Sequence, residues 1–180
     1  MVCARCVTAV KDTLTKLEIP FSEVVLGKAS INIDKSEINR DLLDKELRSI
    51  GFELIYDKKR QLVAEVKALI VSYIHHSGKL DMKINFSNYL SDKIGKDYSS
   101  ITNIFSELEN TTIEKYIIAQ KIERVKELLS YDELTLSEIS YQLNYSSVQH
   151  LSSQFKKLTG KSPSQYKKQN IKIRQTLDKV

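Results

Sequence analysis

Apolar positions change their period along the chain. In residues 4–17, Val7, Val10, Leu14 and Leu17 fall at helical spacing, and Pro20 follows soon after the stop. Residues 21–26 and 29–33 are short β-branched or aromatic runs separated by Gly27 and Lys28, which predicts a hairpin. Leu42, Leu43, Leu47 and Ile50 mark a second helix closed by Gly51, and residues 52–56 predict one more strand. The order over the first 57 residues is α, β, β, α, β. A charged cluster at residues 57–60 separates this unit from a pattern that is helical almost throughout, beginning with Leu62, Val66, Leu69, Ile70 and Tyr73. The boundary is expected near Lys58.

Helix starts then recur as Ser/Thr-x-x-Glu/Gln pairs, the spacing at which two end residues satisfy each other's orphan amides: Thr111 with Glu114, Thr135 with Glu138, Ser146 with Gln149, Ser162 with Gln165. Pro163 follows Ser162 at the first helical position, where its missing N–H costs nothing. The apolar positions fit these starts. Ile113, Ile117, Ile122, Val125 and Leu129 run along one long helix, Leu136, Ile139 and Leu143 along a short one, then Val148, Leu151, Phe155 and Leu158 along a third that Gly160 ends. Residues 86–108 and 136–158 share one plan: a short helix, a tight polar turn, and a second helix with a central Phe.

The proportions of residues 136–158 are those of a helix-turn-helix, whose second helix lies in the major groove of DNA. On a wheel at roughly 100° per residue, Val148, Leu151, Phe155 and Leu158 cluster and are expected to face the core. Ser146, Gln149, Ser153, Lys156 and Lys157 lie opposite, with Ser152 and His150 on the flanks. That face is small, polar and cationic. Gln can pair with adenine through two hydrogen bonds, Ser reads base edges permissively, and Lys meets phosphate. An ordinary helical hairpin with a solvated face would show the same wheel.

Charge adds to this picture. Of 28 basic and 23 acidic residues, residues 1–60 hold 11 and 10, while residues 150–180 hold eight basic and one acidic. A polyanion partner would suit that cationic end, as would a solvated basic tail. With 41% hydrophobic residues, 5 Gly and 2 Pro, the composition is globular and excludes disorder throughout. Apolar runs are far shorter than the roughly 20 residues of a membrane span, so a cytoplasmic protein with reduced thiols and no membrane partner is expected.

Residues 136–166, with His150, Phe155-Lys156, Thr159-Gly160 and Ser162-Pro163, resemble the signature region of the AraC/XylS-type regulators, the arabinose-operon regulator family. The likeness extends back through residues 121–129 to the stretch at 86–108. It implies a domain of two helix-turn-helix units joined by a long helix at residues 77–168, and double-stranded DNA as partner. By the family's pattern the base-facing positions are Val148, Gln149, Ser152 and Ser153 in the second unit and Ser99, Thr102 and Asn103 in the first, with Lys156 and Lys157 beside the phosphates. The chain departs from that pattern twice. Ser153 stands where the family often has Arg. Phe105 is followed by Ser106, Glu107, Leu108 and Glu109 where a basic pair is usual, so the first unit is expected to grip less well.

Cys3 and Cys6 open the first helix, where unpaired amides, the helix dipole and Arg5 favour thiolates. Soft metals bind such thiolates, Cu(I) with two and Zn(II) with four ligands. With the α, β, β, α, β order and Gly51-Phe52, residues 1–57 resemble the ferredoxin-like heavy-metal-associated domain, which begins with a strand before its metal loop. That first strand is missing here, so either residues upstream or another segment or subunit is expected to supply it. The pair can equally be read as a dithiol redox couple or as a relic, and His75-His76 as zinc ligands or as groups at a helix end.

The expected fold is therefore an α+β ferredoxin-like domain at residues 1–57, a linker helix at 58–76, an all-α double helix-turn-helix domain at 77–168 and a basic tail at 169–180. The expected activity is sequence-specific DNA binding in transcription regulation, responsive to a soft metal or thiol redox state at Cys3 and Cys6, with a homodimer as its assembly. Two other classes remain: a metal-carrying chaperone-like protein whose helical half docks a protein, and a thiol oxidoreductase. No Ser-His-Asp order, Gly-rich phosphate loop or paired buried carboxylates speak for another enzyme.

Overall fold

In a computed structural model of the chain, the described residues are 1–34, 37–76 and 85–168. The start of the expected DNA-binding domain at 77–84 and the expected basic tail at 169–180 lie outside them. The chain divides into two compact units, one from Met1 to Leu69 and one from Ile70 onward.

The N-terminal unit starts with α1 (Ala4–Lys16), whose Val10, Thr13 and Leu14 are buried. An antiparallel hairpin follows, β1 (Phe21–Val25) paired with β2 (Lys28–Ile31), then α2 (Arg40–Ser49). The turn sits one residue earlier than the spacing suggests. Val25 pairs with Lys28, and Gly27 takes φ +79°, as the third residue of a type II turn must. A Cβ on Gly27 would stand 3.4 Å from that of Ala68, so α3 (Lys58–Val71) passes close behind the turn. Val10, Leu14, Ile19, Val24, Leu43 and Leu47 form this unit's core.

The strand expected at residues 52–56 is absent. Its backbone finds partners in α2 instead: Phe52 N–H donates to the Leu47 carbonyl at 2.8 Å, and Leu54 N–H to Asp44 Oδ1 at 3.1 Å. Phe52 and Leu54 still pack on the core, which explains their alternating pattern without a ladder. Among the described residues the sheet has two strands, and of the α, β, β, α, β order expected for a ferredoxin-like domain at residues 1–57 the last strand does not form. Leu42 and Ile50, expected on the apolar face of the second helix, are exposed, so only Leu43 and Leu47 anchor it.

In the second unit α3's end widens into a π-helical turn, Ser72–His76, that buries Ile74 and His75. Five helices follow at the expected places: α4 (Phe86–Ile94), α5 (Tyr98–Glu109), α6 (Ile113–Tyr131), α7 (Leu136–Gln142) and α8 (Val148–Thr159), then the short α9 (Pro163–Lys168). The nineteen residues of α6 serve both flanking pairs. Tyr116, near its start, meets the ring of Phe105 on α5, while Ile122, Val125, Leu128 and Leu129 near its end join Ile139, Leu143, Leu151 and Phe155. Tyr73 of the π-helical turn packs on that second cluster and on the rings of Phe86 and Tyr89. At mid-helix, fully buried Gln120 accepts from His75 Nε2 at 3.0 Å through its Oε1 and donates to the Tyr116 hydroxyl at 3.0 Å.

Two expected helix caps move by one residue. Thr112, not Thr111, accepts from the Lys115 amide, and the Glu114 carboxylate accepts from the Tyr98 hydroxyl at 2.7 Å. Ser147, not Ser146, accepts from the His150 amide, while Ser146 Oγ lies 3.0 Å from His150 Nδ1. Thr135 with Glu138 and Ser162 with Gln165 form the reciprocal pairs expected of them.

Candidate nucleic-acid interface

Each of the two helical pairs turns through a left-handed residue, Gly95 at φ +71° between α4 and α5 and Asn144 at φ +53° between α7 and α8. After Asn144, Tyr145 pins the second pair. Its hydroxyl donates to Gln154 Oε1 at 2.8 Å, its ring meets His150 edge to face, and Lys121 Nζ of α6 stands 5.1 Å from its centroid. Burial holds the Tyr145 hydroxyl above the usual tyrosine range and pushes Lys121 below the usual lysine one. Tyr145 thus fixes the angle at which α8 leaves the turn. The wheel gave no sign of it, since it lies on neither helix.

On α8, Leu151 and Phe155 are wholly buried, and Gln149, Ser153, Lys156 and Lys157 are exposed on the far side. Val148 and Ser152 are half-buried between them. Leu158, expected in the core, is 53% exposed, because the last turn of α8 runs past the elements that cover Phe155. The cap of α8 is neutral Ser147, and its last turn carries the two lysines.

The corresponding helix of the first pair has another electrostatic character. On α5, Ser99 and Asn103 are exposed and Thr102 is half-buried. The cap is Asp97, which accepts from the Ser99 hydroxyl at 2.6 Å and from the Ser100 amide at 2.8 Å. Those bonds hold the Asp97 carboxyl below the usual carboxylate range, so the helix opens on an anion. Thr102 Oγ1 donates back to the Ser99 carbonyl at 2.9 Å. Two of the three side chains assigned to this face are therefore occupied locally, and exposed Glu107 follows.

In the N-terminal unit, Cys3 and Cys6 are free and half-buried, their sulfurs 3.4 Å apart across the first turn of α1. Burial opposes the Cys6 thiolate, but hydrogen bonds from the Val2 backbone and from the thiol and backbone of Cys3 outweigh it and lower its pKa. Bound to one zinc with Zn–S of roughly 2.3 Å, two sulfurs would stand about 3.8 Å apart, so the pair suits a shared soft ion in spacing. It supplies two donors. Among the described residues no group of three or more His, Cys, Asp and Glu is arranged to hold a metal. His75 is buried with Nε2 on Gln120 and Nδ1 3.7 Å from Glu127, which leaves its ring committed within the second unit.

Among the described residues no helix is long and apolar enough to cross a membrane. Residues 90–169 match a family described as a helix-turn-helix domain. The xylose operon regulatory protein of Escherichia coli strain K12 is 25% identical over 164 residues, which cover 86% of this chain and 41% of that protein. The Msm operon regulatory protein of Streptococcus mutans serotype c is 26% identical over 153 residues, covering 83% and 55%. The chain thus spans about half the length of these relatives. Among solved structures, the C-terminal domain of AraT, a response regulator from Geobacillus stearothermophilus, superposes with a TM-score of 0.52 at 19% identity, covering 63% of this chain and 88% of that one. A transcriptional regulator with an AraC-type DNA-binding domain from Chromobacterium violaceum gives 0.51 at 16% identity, covering 61% and 95%. Two helix-turn-helix pairs sharing one long helix, in the part of the chain these matches cover, give it the fold of the AraC-type DNA-binding domains.

Proposed function

We propose that the chain is a transcription regulator that binds double-stranded DNA sequence-specifically, with α8 as its main reading helix. The observation that carries this is the two-sided character of α8: Leu151 and Phe155 wholly buried, Gln149, Ser153, Lys156 and Lys157 exposed opposite them, behind a neutral cap. Base edges are then read by Gln149, Ser152 and Ser153 with Val148 against a thymine methyl, and phosphates are met by the lysines. Ser99, Thr102 and Asn103 of α5 add a weaker second grip behind the Asp97 carboxylate. The two operon regulators among its relatives support this reading, which needs no turnover. A cytoplasmic homodimer that sets two such domains along one duplex belongs to it. Cys3 and Cys6 are where a signal enters, as ligands of a soft metal, Cu(I) before Zn(II), or as a redox couple.

Selection of duplexes from a random pool by the full chain, followed by titration of the winners at several salt concentrations, tests the proposal. An enriched sequence bound at least about a thousandfold more tightly than random duplex is expected. No enrichment, or equal affinity for all duplexes, would overturn it, and sedimentation of the same samples reads the assembly.

A further inference from the structure

Two thiols that face each other across one helical turn, with no third donor grouped with them among the described residues, have a chemistry of their own. We infer that Cys3 and Cys6 form a reversible thiol–disulfide exchange site whose reaction partner is a low-molecular-weight disulfide of the glutathione class. This inference rests on the reading of that pair as the point where a signal enters, and narrows it to electrons rather than metal.

The geometry carries the argument. Cys3 caps α1 in an extended conformation, and its side chain makes no capping bond, so its sulfur turns toward Cys6, 3.4 Å away. Cβ atoms three apart on a helix stand about 5–6 Å apart and those of a disulfide roughly 3.5–4.5 Å, so the bond closes by side-chain rotation together with a small shift of the backbone at the start of α1. Both cysteines are half-buried rather than enclosed, which leaves the pair open to a small disulfide. The first-turn amides of α1 favour thiolate. Closing so short a loop restrains the unfolded chain little, so the fold does not lock the bond shut.

The exchange balances in two steps. One thiolate of the pair attacks a sulfur of glutathione disulfide, whose S–S bond breaks and releases one glutathione thiolate, leaving a mixed disulfide on the protein. The second thiolate then attacks the protein-side sulfur, forms the Cys3–Cys6 bond and expels a second glutathione thiolate. The pair loses two electrons to the glutathione disulfide, and the two thiol protons end on the glutathione thiols.

The experiment treats the reduced full chain, freed of metal by chelator, with glutathione disulfide, then alkylates and records intact mass. The wild type is expected to end two hydrogens lighter, with no alkylatable thiol and no retained glutathione, and to regain both thiols under excess reduced glutathione. Cys3→Ser and Cys6→Ser are each expected to retain one glutathione. A wild type that keeps glutathione without forming the internal bond, or keeps both thiols alkylatable, overturns the inference, and this arm needs no variant to fold. Wild type that stays unreactive toward glutathione disulfide yet takes up one Cu(I) per chain also overturns it, in favour of the metal. Duplex binding by the same samples is read in parallel: binding without disulfide formation condemns this site alone, and a disulfide on a protein that binds no duplex condemns the DNA reading alone.

Discussion

Single side chains on α8 divide the work that DNA binding would require. A lysine meeting phosphate releases counterions, with a log–log salt slope of about 0.9 per contact, and acts on every sequence alike. A glutamine pairing with a base acts at one position and is worth roughly 1–3 kcal/mol there. Lys156→Ala and Lys157→Ala are therefore expected to weaken binding to all duplexes and flatten the salt dependence, whereas Gln149→Ala relaxes discrimination at one base pair. Asn103→Ala should cost less than Gln149→Ala, because α5 opens on the Asp97 carboxylate while α8 opens on Ser147. Specific and non-specific affinities at several salt concentrations separate these effects, and the reverse order for Asn103 and Gln149 would make α5 the main reader. His75 makes a different residue-scale prediction. Burial holds it below the usual 6.5, against the hydrogen bond it donates to Gln120 and the charge of Glu127, with Arg124 and His76 adding to the depression. The unfolded chain then binds the proton first as pH falls, so stability is complete above the usual histidine value and declines as pH drops from there toward the folded value. In His75→Gln, which keeps a partner for Gln120, the fall in Tm between about pH 7.5 and 5.5 should be smaller than in wild type.

At the scale of elements, the displaced caps can be tested. Thr112→Ala and Ser147→Ala are each expected to lower stability by about 1 kcal/mol, and Thr111→Ala and Ser146→Ala by much less, in urea melts followed by circular dichroism. The Ser/Thr-x-x-Glu/Gln spacing pointed to Thr111 and Ser146, and in each case the next hydroxyl along, Thr112 or Ser147, takes the cap. Tyr98 of α5 takes Glu114 of α6 once those two elements meet, while His150 meets Ser146 within the first turn of α8 itself. The helices themselves were legible because Ile122, Val125 and Leu129 on α6, and Leu151 and Phe155 on α8, each recur at the spacing a buried helical face requires. Residues 52–56 show the opposite limit. Their alternation is real, and Phe52 and Leu54 do pack inward, yet a strand also needs a neighbour with free amides, and α2 supplies the partners first. Tyr145 was illegible for a related reason: a turn residue has no period.

At the scale of the whole molecule, each unit has its own core, so damage should stay local. Phe155→Ala removes a wholly buried ring from the cluster around Val125 and is expected to cost roughly 3–5 kcal/mol and to abolish specific binding. Leu14→Ala should destabilise by about 2–5 kcal/mol yet leave duplex affinity within a few-fold, since it empties the other unit's core. Calorimetry together with duplex titration checks both, and a binding loss as large for Leu14→Ala would show the units to be energetically one.

The long helix α6 has a further consequence, for the DNA rather than for the protein. Its nineteen residues amount to about 28 Å, and its two halves hold α5 and α8 by separate sets of side chains, so it acts as a ruler of fixed length and fixed torsion between two reading heads. One turn of B-DNA is longer, about 34–36 Å over roughly 10–10.5 base pairs. If both helices engage one duplex, the separation is fixed in the protein, and a duplex whose major grooves do not match it must bend or twist to meet them. Flexible pyrimidine–purine steps between the contacted segments would lower that bending cost at positions no side chain touches. An inserted base pair would rotate one half-site by roughly 34° and move it beyond the ruler's reach, leaving α8 bound and α5 idle.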